Sequence, residues 1–259
     1  MADGKASPGF KAWRNVPTLP RFFGRIAYDS AGRAYIYNPF FDGHLLYMSS
    51  NPYTGRFFWN TLLETWTAPL SPEQWALTIL SPSADLLADF PFMRRHRELS
   101  DVVSPHEGLT RAYEDFLRAQ REDVSLEPDF MYVVLAEHLD RLYQMWSDDE
   151  RDHFATLLRV GPHAQMVIWA SASYEGWRSL PEAWRRAFRK ALYGPFDATT
   201  PEGQQLVQRH PKAAERYLAL ARLRPGQALI WDEAGKPILL AANLVGLSEG
   251  ERATASTAR

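Results

Sequence analysis

Short apolar runs alternate with amphipathic segments through the middle of the chain. The runs at 44–48, 75–80, 131–136 and 165–171 are typical of strands buried on both faces of a sheet. Helical periodicity predicts helices at 57–66, 104–121, 148–158, 181–193 and 213–223. Buried strands that alternate with helices predict an α/β fold, in which a mostly parallel central sheet carries helices on both faces.

Two predicted hairpins flank this alternating region. Residues 25–40 alternate apolar and polar side chains around a turn at 29–32, and residues 227–241 do so around a turn at 232–235. We expect both hairpins to add antiparallel strands at the sheet edges. Domain organisation then follows from the flanks: an extended lead-in at 1–16, one domain at 17–243, and a polar, disordered tail at 244–259.

Composition narrows the class of protein. The chain has 259 residues, of which 46% are hydrophobic, and this suits one globular domain. A formal net charge of −2 gives no reason to expect nucleic-acid binding. The chain has no Cys, so it can form neither disulfides nor thiolate zinc sites. Without a signal-peptide pattern or a long apolar stretch, we expect a cytoplasmic protein that meets a membrane only through partners.

The nine Trp residues are unusual for this length. They are scattered along the chain, which favours a role in filling the core. The alternative is an aromatic surface for a partner, because Trp is enriched where proteins bind one another most tightly.

A strand, a glycine-containing loop and a helix follow one another in GHLLYMSSNPYTGRFFWNTLL, residues 43–63. This order is the setting of a phosphate-binding P-loop. The segment resembles FtsK/SpoIIIE-type ATPases, especially the tandem ATPase domains of EccC and EssC in type VII secretion, where a Gly-His-Leu-Leu strand leads into the loop. Further similar segments follow in the family's order: LSPEQWALTIL, ADFPFM, PDFMYVVLAEHLDRL, LLRVGPHAQMVIWAS and LRPGQALIWDEAGKPILL. The resemblance implies a RecA-like P-loop NTPase fold.

The loop departs from the P-loop pattern G-x-x-x-x-G-K-[ST], in which the Lys reaches the phosphates and the hydroxyl binds Mg²⁺. Here the octet is S-N-P-Y-T-G-R-F. Ser50 replaces the first Gly, Arg56 replaces the Lys, and Phe57 replaces the hydroxyl residue. Two interpretations remain open. The segment is an ordinary strand-to-helix loop, or Ser50, Thr54, Gly55 and Arg56 form a degenerate loop that binds phosphate weakly.

The second motif of such ATPases is an apolar strand that ends in Asp and an acid. At this place the chain has Ala136 and then Glu137. The Asp that supports Mg²⁺ is therefore missing, while Glu137 stays a candidate catalytic residue or a plain polar residue at a strand end. His138 and Asp140 follow, but one His and two acids on one turn make a poor metal site. We predict no metal site.

A basic predicted helix carries Arg185, Arg186 and Arg189. What the resemblance implies is that an Arg from one domain can complete the site of its neighbour in a ring. The alternative is a solvated basic face of a helix.

These departures predict negligible hydrolysis by this chain. The leading hypothesis is a degenerate, or pseudo-, ATPase domain of an FtsK/EccC-like motor, with a structural, regulatory or substrate-recognition role in type VII-like protein secretion. The resemblance implies other ATPase domains or a homo-oligomeric ring as partners, and a helical exported protein as substrate. Tyr53, Phe57, Phe58 and Trp59 would give its pocket an apolar floor, although a core-packed helix start is the simpler interpretation of the last three. No cofactor is expected, apart from weakly bound ATP.

Two alternatives stay open. One is a conditionally active ATP-hydrolysing motor domain, in which Arg56 and Glu137 act with groups from a partner. The other is a relative of DNA translocases, against which the near-neutral net charge argues.

Overall fold

A computed structural model describes residues 11–13, 22–83, 104–121, 130–232 and 235–242. Within these ranges the strands are β1 Lys11–Trp13, β2 Gly24–Asp29, β3 Ala34–Tyr37, β4 Leu45–Met48, β5 Trp75–Leu80, β6 Met131–Ala136, β7 Met166–Ala172, β8 Lys190–Tyr193, β9 Gln227–Trp231 and β10 Pro237–Ala241. The α-helices are α1 Pro39–Asp42, α2 Arg56–Thr67, α3 Pro105–Arg121, α4 Leu139–Met145, α5 Asp148–Val160, α6 Tyr174–Ser179, α7 Glu182–Ala187, α8 Pro201–Arg209 and α9 Ala214–Leu220.

All the strands join one mixed sheet in the order β1-β3-β2-β10-β9-β8-β4-β7-β6-β5. The half from β8 to β5 is parallel, and the half from β1 to β9 is antiparallel. A single antiparallel pair, Tyr193 with Leu229, joins the two halves. The predicted α/β class and both hairpins are confirmed, but their predicted placement at the sheet edges is not. Both hairpins lie on the β8 side of the parallel half, and β9 and β10 are interior strands between β8 and β2. Strand β1 falls within the predicted lead-in, whereas the predicted tail at 244–259 lies outside the described residues.

Helices cover both faces of the parallel half, and the alternation of side chains along each strand supplies both cores. On β4, Leu45 and Tyr47 point to the side of α2, while Leu46 and Met48 point to the side of α3. Strands β6 and β7 divide their side chains in the same way. This burial on both faces is why these strands are continuous apolar runs in the sequence.

Tryptophan fills much of both cores. Trp169 on β7 stacks on Trp59 of α2 with 6.1 Å between ring centroids, and Trp66 meets Trp169 edge-on at 5.7 Å. Trp146 and Trp184 are buried on the other face. These Trp residues therefore fill the core, as the sequence favoured.

The predicted helix at 181–193 is wrong over its second half. Helix α7 ends at Ala187, Phe188 is extended (φ −86°, ψ 98°), and residues 190–193 form β8, which pairs with β4 in the parallel half. The basic residues in this stretch are good helix formers. Pairing with β4 on one side and β9 on the other overrides that local preference, because it satisfies backbone groups on both edges of the strand.

His44 joins three elements beneath the sheet edge where β4 begins. Its Nε2 donates to the carbonyl of Leu158 in α5 (2.8 Å), and its Nδ1 accepts the N–H of Ile168 in β7 (2.9 Å). Burial lowers the pKa of His44 to about 4, partly offset by the Leu158 carbonyl and reinforced by nearby Arg189. The imidazole of Gly-His-Leu-Leu is thus a neutral structural connector at neutral pH.

We expect His44 to make the fold acid-sensitive. As the pH falls below 6.5, the ordinary pKa of histidine, His44 becomes protonated in the unfolded chain. In the folded protein it becomes protonated only near pH 4. The free energy of unfolding should therefore fall by about 3 kcal/mol between pH 6.5 and 4 through this group alone. Urea unfolding of a His44→Leu variant should lose this component, on top of a lower stability at pH 7. His163→Gln, which removes an exposed imidazole, is the control. An unchanged pH slope in His44→Leu would contradict the assignment.

Candidate functional site

Three parallel strands end side by side at the carboxyl edge of the sheet, where α/β proteins place their sites. Strand β7 lies between β4 and β6. The loop after β4 leads into α2, and the turn after β6 leads into α4. The end of β7 binds both: the N–H of Ser49 donates to Ala172, and the N–H of His138 donates to the Ser171 hydroxyl (3.0 Å).

The loop after β4 folds back on itself rather than opening toward solvent. Residues Pro52–Gly55 form a 3₁₀ helix that continues directly into α2. Most of its backbone N–H groups donate to acceptors within the protein. These donors are the N–H groups of Ser49, Ser50, Asn51, Tyr53, Thr54 and Arg56. Pro52 has no N–H to offer. In a phosphate-binding loop, groups of this kind point at the ligand.

Side chains of the loop are tied to the strands beneath it. Ser50 accepts the N–H of Asp197 (2.8 Å), in the segment that follows β8. The Thr54 hydroxyl donates to the Asn51 carbonyl and lies 2.7 Å from the phenol oxygen of buried Tyr47. Burial raises the pKa of Tyr47 to about 12, so its phenol is a neutral hydrogen-bonding group.

Gly55 is used for close packing. Its backbone is in the ordinary helical region (φ −60°, ψ −24°), which any residue can adopt. A Cβ at this position would lie 2.9 Å from Tyr47 Cδ1 and 3.1 Å from Trp59 Nε1. Glycine is therefore required here by the aromatic side chains beneath the loop.

The centre of the site is an ion pair between the first residue of α2 and the residue after β6. Arg56 Nε lies 2.5 Å from Glu137 Oε1, and its terminal Nη2 lies 2.6 Å from Oε2, so the pair is bidentate. The Glu137 side chain is 1% exposed and that of Arg56 is 15% exposed. The guanidinium thus reaches past β7 and neutralises a carboxylate that is out of contact with water.

Tyr53 covers this pair from the loop. The Arg56 guanidinium carbon lies 5.3 Å from the centroid of the Tyr53 ring, which meets the His138 ring edge-on at 5.2 Å. His138 Nδ1 bonds to Asp140 (3.0 Å), which also accepts the Ser173 hydroxyl (2.7 Å). Burial raises the pKa of Asp140, but the bonds from His138 and Ser173 outweigh it and hold that pKa below its ordinary value. A second carboxylate at this edge is therefore also compensated within the protein.

Neither Phe57 nor Ala136 adds a polar group to the site. Phe57 packs against the core on the α2 side, and Ala136 is fully buried in the core on the α3 side. Phe58 and Trp59 are fully buried as well, so they belong to the core and cannot form the predicted pocket floor. No group of three or more His, Asp or Glu within the described ranges could hold a metal ion.

The predicted trans-acting arginines lie elsewhere. Arg186 and Arg189 line a cavity at the opposite, amino edge of the sheet, and the Nε of Arg185 is buried, without a hydrogen-bond partner among the described residues. The structure thus brings Arg56 and Glu137 together but does not bring these arginines to them.

Several solved structures share this arrangement of strands and helices. EssC (ATPases 2 and 3) from Geobacillus thermodenitrificans superposes with a TM-score of 0.59 at 14% identity, over 96% of this chain and 50% of that chain. The cytoplasmic domain of the Thermomonospora curvata type VII secretion ATPase EccC gives 0.60 at 16% identity, over 94% and 32%. The pCW3 conjugation coupling protein TcpA, with ATPγS, gives 0.62 at 10% identity, over 97% and 75%.

The chain has the fold of an FtsK/EccC-type P-loop ATPase domain. It spans half of the EssC chain and about a third of the EccC chain. No protein-family model matches its sequence. No curated protein matches it either. The loop at 49–56 lies between strand β4 and helix α2.

Sequence reasoning located both ends of the ion pair but not the bond between them. As motif positions, Arg56 and Glu137 are expected at the carboxyl ends of two parallel strands. Sequence reasoning gave no sign that the two side chains satisfy each other, nor that Tyr53 covers them. The only available signal was charge: an Arg and a Glu at two positions that face one site.

The ion pair should be strongly coupled. Removing one partner leaves the other charge buried, so Arg56→Met and Glu137→Leu should each lower the free energy of unfolding by about 3–5 kcal/mol. The double variant should recover most of this loss, because it leaves no charge behind. A thermodynamic cycle from urea unfolding measures the coupling.

The exposed pair Arg186–Glu182, with side chains 78% and 64% exposed and atoms 2.5 Å apart, is the matched control. Its coupling should stay below about 1 kcal/mol. Equal coupling in the two pairs would show that the buried pair contributes nothing beyond a surface contact.

Proposed function

We propose that this chain is a pseudo-ATPase domain of an FtsK/EccC-like motor, in which it acts as a structural, regulatory or substrate-recognition module. The observation that carries the proposal is the Arg56–Glu137 ion pair. In an active domain the cation at the first position contacts phosphate, and the acid at the second orients water. Here each group is the partner of the other.

The residues around the pair do not fit Mg²⁺-ATP. Phe57 has no oxygen for the metal, and Ala136 has none where the motif requires Asp. Arg56 keeps the charge of the missing Lys, but its Nε and Nη2 already donate to the two carboxylate oxygens of Glu137. A phosphate would have to break that bond and leave Glu137 buried without a counter-charge.

The closed loop supports the same proposal independently. Binding a triphosphate needs several backbone N–H groups that converge on it. The N–H groups of Ser50, Thr54 and Arg56 already bond to acceptors within the protein. Opening the 3₁₀ turn would also disturb the contact between Thr54 and Tyr47.

Partners follow from the proteins that share the fold. The EssC structure and one EccC structure each contain ATPases 2 and 3, and that EccC structure is a complex with a signal sequence peptide. We therefore propose that this chain acts beside other ATPase domains or in a homo-oligomeric ring, in type VII-like secretion, with a helical exported protein as substrate. It would be located in the cytoplasm, at the cytoplasmic face of a membrane secretion complex. Arg186 and Arg189 are the candidates for contact with a neighbouring domain.

A conditionally active domain is the second candidate, favoured by the presence of ATPγS in the TcpA structure. In that case a neighbouring domain would have to draw Arg56 away from Glu137. The same neighbour would supply the metal ligands that Phe57 and Ala136 lack. The fold that the chain shares with TcpA, a conjugation coupling protein, supports a DNA-translocase role, whereas the net charge of −2 argues against it.

Calorimetric titration of the protein with ATP, with and without Mg²⁺, tests the proposal. We expect no saturable binding that depends on Mg²⁺, and no phosphate release above a blank. Tight, Mg²⁺-dependent binding with turnover would refute it. A rate that appears only in an assembled complex and disappears in Glu137→Gln would instead establish the conditionally active domain.

A further inference from the structure

A cavity of about 820 Å³ opens at the amino edge of the parallel sheet, on the opposite side from the loop at 49–56. Residues at the starts of β4, β6 and β7 line it, namely His44, Met131 and Met166. Helices α1, α5 and α7 supply its walls. The neutral His44 that joins α5 to β7 therefore also fixes the floor of this cavity.

The rim of the cavity carries exposed aromatic surface. Phe40 and Phe41, adjacent in α1, are 45% and 68% exposed. Among the described residues few large hydrophobic side chains are so exposed, and these two are the only ones that line the cavity. Met131, Met166 and Trp184 continue the apolar surface inward. Exposed apolar surface beside a cavity is typical of a binding site.

The cavity wall is positively charged. Arg159 and Arg189 are exposed, line the cavity and form no ion pair with any described residue. Arg186 adds a third guanidinium, held only by its exposed contact with Glu182. Asp152 is the single acid among the described residues that line the cavity. The excess of cations favours a ligand that carries carboxylates.

The cavity therefore sets two requirements side by side, an apolar rim and a cationic wall. A simple anion would leave the apolar rim without a partner, whereas a polypeptide offers carboxylates and apolar side chains together.

We infer that this cavity docks an acidic peptide segment of a partner protein, with an aromatic or aliphatic side chain of the segment against Phe41 and its carboxylates on Arg159 and Arg189. Docking at this edge is independent of the phosphate-loop edge. Peptide docking can therefore be tested whether or not the domain binds ATP.

A random twelve-residue peptide display library, selected on the protein and counter-selected on an Arg159→Glu/Arg189→Glu variant, identifies the ligand. We expect enriched peptides in which Asp or Glu lies close to Phe, Trp or Leu. One enriched peptide, labelled with fluorescein, is then titrated with each variant and followed by anisotropy. Affinity should fall at least about tenfold in Arg159→Glu/Arg189→Glu and in Phe41→Ser, and it should weaken as salt rises.

Matched controls separate this site from general effects of charge and exposed surface. Arg209→Glu/Arg222→Glu makes the same charge change at exposed positions elsewhere, and Leu218→Ser removes another exposed apolar side chain. Both controls should bind the peptide as the unchanged protein does. Enrichment of basic or purely polar peptides, no enrichment, or equal loss in the controls would overturn the inference. So would concentration-dependent self-association that Phe41→Ser abolishes, since the occupant would then be a second copy.

Discussion

The bidentate bond between Arg56 and Glu137 is the interaction on which the carboxyl edge of this domain depends. It joins the helix that follows β4 to the turn that follows β6, past the end of β7. Because Glu137 is almost fully buried, the fold can accommodate its charge only while Arg56 compensates it. The geometry of α2, the closed loop and the cover provided by Tyr53 all keep the guanidinium in that place.

This constraint supports our proposal that an ATPase fold persists here without ATPase chemistry. The sheet, α2 and the aromatic core beneath the loop are held by packing, above all by Trp59, Trp66 and Trp169. None of these contacts involves a phosphate or a metal. On our proposal, the positions that hold nucleotide in an active ATPase can change in this fold, provided that the charges left behind are paired.

The sequence predicts the parallel half of the fold well because its strands are buried on both faces and read as continuous apolar runs. It fails at β8, a short strand in a basic stretch, where pairing with β4 and β9 decides the structure and local preference does not. At the candidate site, motif positions predict which residues meet, as for Arg56 and Glu137. Which hydrogen bonds they form depends on side-chain geometry, so the role of His44 as a connector and the pairing within the site follow only from the structure.

The two edges of the parallel sheet thus differ in character. At the carboxyl edge the ion pair is closed and the loop folds back on itself. At the amino edge, Arg159 and Arg189 form no ion pair with any described residue and lie beside exposed Phe40 and Phe41. If the domain recognises a partner through a preformed site, the amino edge offers the surface for it, and the carboxyl edge serves stability.

The most direct test of this account is the amide spectrum of the ¹⁵N-labelled protein as Mg²⁺-ATP is added. A loop whose N–H groups and arginine are already engaged should leave the resonances of Ser50, Thr54 and Arg56 unmoved at millimolar nucleotide. Saturable shifts confined to these residues, together with movement of the Arg56 side-chain Nε resonance, would show that the ion pair yields to phosphate and would contradict the account.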